Sequence, residues 1–261
     1  MNQILISEKI YVTHEMKRKK RIYKIYFFLA VFLVFILSSY YIYAEYDRNK
    51  SEEQSKEILS SLSFESGIED NTTIKFEENA MVVILNEEDD EKVVISSTYE
   101  DSEMEVTDEN GEKETVNVTK YRTASGQEYW PIATITIPSI DCTYPILNTW
   151  SEELLKISPC YFHGPEPNQI GNFCILGHNY RNSKFFSKVP TLQIGDKIYI
   201  EDLTKTTVEY SVYDIYNVDP SDTRCTSQLE QLRQGKTEIT LITCTNDGSQ
   251  RVIVKARKTG E

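Results

Sequence analysis

Apolar and polar residues fall into three regimes along this 261-residue chain. From Ile25 to Ala44, twenty consecutive residues (IYFFLAVFLVFILSSYYIYA) carry no charge. A helix of about 20 residues, at 1.5 Å rise each, crosses a hydrocarbon layer of roughly 30 Å, so this run predicts a membrane-spanning helix. A cleaved leader would have a shorter apolar core followed by a small-residue cleavage site, and Tyr-Ile-Tyr-Ala-Glu-Tyr is a poor one. From residue 45 to 128 polar side chains dominate, interrupted by two apolar runs, Met81–Leu85 and Val93–Ile95. An isolated pair of such strands is marginal in water, so this region reads as a largely flexible stalk.

From Tyr129 onward the pattern becomes short alternating segments punctuated by turn residues. Ile132–Ile137 alternates between two prolines, and 171–176, 197–201, 208–216, 238–244 and 251–256 are further strand candidates. Helical candidates are Ser151–Ile157, with Ser151 as its cap, and Thr226–Gln234, ending at Gly235. About 130 residues of short strands with few helices predict a mostly β fold, a barrel or a sandwich. The layout is therefore a basic N-terminus (1–24), an anchor (25–44), a stalk (45–128) and a folded domain (129–261).

Charge sharpens this division. Residues 1–44 hold seven Lys/Arg against two acids, whereas residues 45–120 hold seven bases against 23 acids. Lys17 to Lys24 lie just before the apolar run and Glu45 and Asp47 just after it, so the positive-inside rule predicts a cytoplasmic N-terminus and an extracellular remainder. A net charge of −13 argues against nucleic acid as a partner, because phosphate binding needs a basic face. Glu201, Asp202 and Glu209 are either a solvated face or a weak calcium site; no metal or cofactor is assigned.

Beyond the anchor stand two histidines, His163 and His178, and all five cysteines: Cys142, Cys160, Cys174, Cys225 and Cys244. A cysteine, a histidine and an oxyanion donor are the minimal set for thiol acyl transfer. Cys174 lies within an apolar strand and reads as an inert core thiol, whereas Cys225 sits in a polar loop. Cys244 ends the strand Thr240-Leu-Ile-Thr-Cys244 where a polar loop begins, which places its sulfur on a rim. Arg251 starts the next strand after six residues, so the two side chains can converge. His178 follows Gly177 at another strand end, with Gly177 giving backbone freedom; His163 reads as a turn residue. Periodicity alone does not choose between the histidines.

The motifs go further than the spacing. Thr240-Leu-Ile-Thr-Cys244 resembles the TLxTC signature of sortases, the cysteine transpeptidases of Gram-positive cell surfaces. Gly171-Asn172 with Gly177-His178, Arg251 at the next strand's start and a single N-terminal anchor agree in order with that family. The resemblance runs from Pro131 to Arg257. It implies a closed, mostly antiparallel barrel of about eight strands. It also implies a Cys244 nucleophile, His178 as acid and base, Arg251 as oxyanion and substrate donor, and Thr243 lining the substrate or oxyanion site. Implied partners are an LPxTG-like sorting signal, cleaved after Thr, and an amine from cell wall or pilin; an apolar groove beside Cys244 has Val218 and Ile242 as candidate walls. The short 245–250 loop, the absence of an Asp-Pro-aromatic lid and the lack of a second membrane helix after Arg257 resemble class D or class A more than B or C. Two alternatives stay open: a thiol peptidase releasing substrate to water, and a non-catalytic surface-binding module.

Overall fold

The computed structural model describes residues 14–64, 100–107 and 113–260, so the runs at 81–85 and 93–95 lie outside the described residues. Two compact units divide the chain, Met1–Lys50 and Ser51–Glu261. Helix α1 (His14–Phe64) begins in the first unit, and its apolar stretch there is fully exposed, with Phe28 and Tyr41 each 68% open. It is long and apolar enough to cross a membrane. α1 continues twenty residues beyond the predicted span. Residues 45–64 contain neither Gly nor Pro, and the helix-spaced pairs Glu45–Arg48 (3.3 Å) and Glu52–Lys56 (3.0 Å) support it.

In the second unit β1 (Glu100–Thr107) pairs antiparallel with β2 (Lys113–Arg122), which pairs with β3 (Glu128–Tyr129) in a three-stranded sheet. Regular structure therefore enters the stretch expected as a stalk. Val118, Tyr121 and Tyr129 on that sheet are buried, and Tyr121 stacks on Tyr129 at 5.5 Å, which ties the acidic strands to a small apolar cluster.

The remaining elements are β4 (Pro131–Ile137), β5 (Cys142–Leu147), α2 (Glu152–Ile157), β6 (Cys160–His163), β7 (Gly171–Leu176), β8 (Lys197–Asp202), β9 (Thr207–Val218), α3 (Leu229–Gln234), β10 (Thr237–Cys244) and β11 (Arg251–Lys258). Eight of these strands close a barrel in the order β10-β11-β9-β8-β4-β5-β6-β7, as expected. Neighbours pair antiparallel except β5–β6 and β7–β10, which are parallel. Pleat alternation sends Ile135, Ile137, Phe173, Ile175, Ile239, Leu241, Val252 and Val254 into one buried core. Ser151 caps α2 as predicted, its hydroxyl accepting from the Leu154 N–H at 3.1 Å.

Glu238, at the start of β10, is 2% exposed and accepts from Arg257 (2.9 and 2.6 Å), Gln231 (2.7 Å) and Tyr213 (3.0 Å). Burial alone would push its carboxyl up, but these donors and the Arg257 charge hold it below the usual value. That stabilisation is present above the unfolded carboxylate range and is lost as pH falls through the lowered value. Arg257→Ala is expected to cost about 3 kcal/mol at neutral pH by leaving a buried carboxylate without its cation. Urea unfolding should show the deficit shrinking as Glu238 protonates; a pH-independent deficit would assign the loss to packing instead.

Candidate active site

Register places the candidate residues in one row. Cys244 pairs directly with Arg251 across β10 and β11, and Arg251 pairs with Val218 on β9. On the other side of β10 the parallel pairing ends at Ile242 opposite Leu176. The Gly177 N–H still donates to the Ile242 carbonyl (3.0 Å), so two more residues along each strand bring His178 abreast of Cys244. Residues 218, 251, 244 and 178 thus run side by side across four adjacent chain segments. Alternation puts them on the barrel's outer wall, because Leu241, Val252 and Val254 face the core.

Two residues back along each strand lies an apolar row in the same register: Tyr216, Ile253, Ile242 and Leu176. These belong to an outer cluster with Cys174, Cys225, Phe162 and Val218. Trp150, 47% exposed, meets Phe162 edge-on at 5.8 Å. Both residues named from the sequence as groove walls, Val218 and Ile242, are in this cluster. The row of candidates therefore borders an apolar wall.

The cysteines separate by burial. Cys142, Cys160, Cys174 and Cys225 are buried free thiols, and Cys244 alone is partly exposed. Burial pushes the Cys142 and Cys174 thiols up to about 12 and raises Cys160 and Cys225 as well. Cys225, placed by its polar neighbours in an open loop, is instead 5% exposed: its turn folds back against Cys174 and Ile242. His163 is exposed at the far end of β6.

Three contacts hold the polar row. Asn179 donates its side-chain N–H to the Cys244 carbonyl (2.9 Å) and to Asn246 (3.0 Å), tying the His178 segment to the peptide of Cys244. Thr243 does not line the outer site. It is 2% exposed on the inner face, one residue out of phase with Cys244, and its hydroxyl donates to the Gly177 carbonyl at 2.8 Å. Gly177 has no left-handed backbone to relieve; a Cβ there would lie 2.3 Å from the buried Phe186 ring, so the glycine gives clearance rather than conformational freedom.

The loop between β10 and β11 is pinned by Asp247, which accepts from the Thr245 hydroxyl and from the Ser249 hydroxyl and N–H. These bonds hold its carboxyl down to about 2, and they fix the spacing of Cys244 and Arg251. Arg251 donates a long bond to the Gln250 carbonyl (3.4 Å) and enters no ion pair among the described residues. On the flank, Asn172 is fully buried, donating to the Cys225 carbonyl (2.9 Å) and accepting from Thr240 (2.6 Å). Gln228 bonds both the N–H and the carbonyl of Asn172 (2.7 and 2.8 Å), which fastens the 219–228 loop behind the apolar wall. Asn179 and Gln228 gave no sequence signal, since single amides are identified only by what they reach.

Glu201 lies 3.9 Å from Lys205, Glu209 bonds Lys197 at 2.8 Å, and Asp202 accepts from Asn168 and Thr204. Each acid has internal partners, and no metal-binding cluster occurs among the described residues. A cavity of about 350 Å³ lined by Met104, Trp130, Ile132, Tyr161, Pro165 and Leu203 shares no residue with the polar row.

The family model of the sortase domain matches residues 135–259. Sortase A of Bacillus anthracis is 32% identical over 126 residues, covering 47% of this chain and 57% of that protein. The chain belongs to the sortase family. This chain spans 57% of the length of that curated relative. Among solved structures, a Clostridium perfringens Sortase D5 transpeptidase is 34% identical, covering 50% of this chain and 79% of that one with a TM-score of 0.45. A lid mutant of sortase A from Corynebacterium diphtheriae is 29% identical, covering 53% and 75% with a TM-score of 0.46. The sortase match contains Cys244, His178 and Arg251.

Burial lowers the His178 pKa, the Lys156 charge on α2 lowers it further, and Glu152 opposes both. The neutral imidazole is therefore favoured in the fold, and its contribution is complete above the unfolded value near 6.5 and lost as pH falls through the lowered one. Lys156→Gln should move the His178 titration up and Glu152→Gln should move it down, read by NMR of the imidazole. Gly177→Ala is expected to cost about 1–3 kcal/mol by overpacking against Phe186 and to lower turnover by displacing His178; unchanged stability and turnover would show that the ring yields freely.

Proposed function

We propose that this protein is a membrane-anchored thiol transpeptidase. It cleaves an LPxTG-like sorting signal after Thr and transfers the acyl group to an amine of the cell wall or of a pilin. The observation that carries the reading is the single row of Cys244, Arg251 and His178 on the outer wall, bordered by an apolar strip. The Cys244 sulfur attacks the scissile carbonyl carbon as its thiol proton passes to His178, and the oxyanion that develops receives hydrogen bonds from Arg251, a donor not committed to an ion pair among the described residues. Collapse of the tetrahedral intermediate breaks the C–N bond, and His178 gives its proton to the leaving amine, forming a thioester. An incoming amine then attacks the thioester while His178 takes its proton; the C–S bond breaks, the new amide leaves, and the proton passes from His178 to the Cys244 sulfur, restoring the thiol–imidazole pair. How the proton is shared between His178 and Cys244 in the resting enzyme is a property of the pair.

The anchor at 25–44, with the basic residues before it, places the catalytic domain on the extracellular side in this reading. The apolar wall of Ile242, Ile253, Leu176 and Val218 receives the Leu-Pro portion of the signal. Hydrolysis by water would use the same site; the competing fate is decided by which nucleophile reaches the thioester.

The test incubates the full chain in detergent with LPxTG-like peptides, with and without triglycine, followed by mass spectrometry. Expected are an acyl adduct on Cys244, ligated product when triglycine is present, and complete loss of both in Cys244→Ala. Hydrolysed product alone would make the protein a peptidase, and turnover that survives Cys244→Ala would overturn the mechanism. Asn179→Ala should lower turnover by roughly ten-fold, a misplacement effect, with a stability loss of about 1 kcal/mol. An equal loss at both levels would make Asn179 a fold determinant only.

A further inference from the structure

The part of α1 inside the second unit has a defined inner face. Ser51, Ser55 and Ile58 are buried, at the i, i+4, i+7 spacing of one helical stripe. Ile58 is 2% exposed and packs with Leu154 and Ile157 of α2 and with Tyr121, Tyr129 and Leu147. Ser158, which ends α2, spends its hydroxyl proton on the Pro145 carbonyl (2.5 Å), so the 3.1 Å contact with Ser55 requires Ser55 to donate. Ser61 completes the row by bonding the Tyr121 hydroxyl at 3.0 Å.

One contact on this face reaches the loop that carries His178. Glu52 pairs with Lys184 at 2.8 Å, with the Lys184 side chain only 11% exposed. Lys184 sits in a loop whose internal bonds end on the histidine: Phe186 N–H donates to the His178 carbonyl (3.1 Å), and Tyr180 N–H donates to the Ser187 hydroxyl (2.9 Å). Lys184 itself is held by Asn182 at its N–H (2.8 Å), while Ser187 N–H donates to its carbonyl (3.1 Å). The Phe186 ring also occupies the clearance left by Gly177. The last turns of α1 therefore brace both surroundings of His178: α2, whose Lys156 and Glu152 charges act on the imidazole, and the 178–188 loop.

We propose that Glu52 is a positioning residue for His178, acting through Lys184, so that the helix leading out of the anchor is a working part of the catalytic domain. This rests on the transpeptidase reading for its catalytic consequence, but the brace itself does not. Burial would raise the Glu52 carboxyl, while the bonds and charges of Lys184 and Lys56 hold it below the usual value. The brace is therefore intact at neutral pH and released when acid protonates Glu52.

The experiment uses the full chain in detergent with Glu52→Gln, Lys184→Met, the double variant, the charge swap Glu52→Lys/Lys184→Glu, and Glu53→Gln as an exposed neighbouring control. Hydrogen exchange of residues 178–188 and NMR titration of His178 are read beside kcat and KM for peptide transfer to triglycine. Both single variants should speed exchange in 178–188 and move the His178 titration up toward an ordinary imidazole as burial loosens. They should lower kcat about ten-fold with KM within about two-fold, and the double variant should be no worse than either. The swap should recover most of the loss, and Glu53→Gln should change nothing. Independent losses that multiply in the double variant, or an unchanged His178 titration and kcat despite faster exchange, would overturn the proposal. If the wild type transfers no peptide, the transpeptidase reading fails, while exchange and the His178 titration still decide whether Glu52 positions the histidine.

Discussion

The parallel pairing of β7 with β10 is the constraint on which the rest depends. It closes the barrel, and it is also the step that delivers a histidine from a distant part of the chain to the side of the cysteine. Antiparallel hairpin pairing of β10 with β11 brings Arg251 opposite Cys244 with a six-residue loop, a local arrangement. The histidine arrives only because the ladder continues past Leu176 through Gly177 and is tied off by Thr243 on one face and Asn179 on the other. Slipping β7 by one residue would turn His178 to the other face of the wall and Gly177 away from Phe186 together.

The same register accounts for the chemistry available. Because alternate residues share a face, a polar row at the strand ends is followed by an apolar row of Tyr216, Ile253, Ile242 and Leu176. The proposed nucleophile is the cysteine that the barrel leaves partly open, while the other four thiols are sealed by burial. The loop carrying Cys225 is held against this wall by Asn172 and Gln228, so the wall's backing is fixed by buried amide hydrogen bonds rather than by a disulfide.

Much of this was legible in the sequence, for identifiable reasons. Strands β4 and β8 announced themselves by alternation, because each has one face in the core and one outward, whereas β7, β10 and much of β11 are buried on both faces and were visible as short apolar runs. β5 did not, since Pro145 breaks its pattern; the strand tolerates it because its β6 side makes a single residue pair, Leu147 with Cys160. β6 is four residues long, too short for periodicity to register. β1 and β2 were hidden by their acidic composition, with burial confined to a few positions such as Val118 and Tyr121. The candidate set of Cys244, His178 and Arg251 came from motifs, but Thr243 lies on the inner face, because adjacency in sequence reverses direction in a strand. Contacts such as Glu52 with Lys184 join residues 132 positions apart, and no local pattern encodes them.

The proposed pairing of Cys244 with His178 rests on barrel register. The most direct test measures the pH dependence of iodoacetamide alkylation at Cys244, by peptide mass spectrometry, in the full chain and in His178→Ala. A coupled pair predicts that removing the imidazole shifts the thiolate titration and erases the inflection belonging to His178. Superimposable profiles in the two proteins would contradict the account.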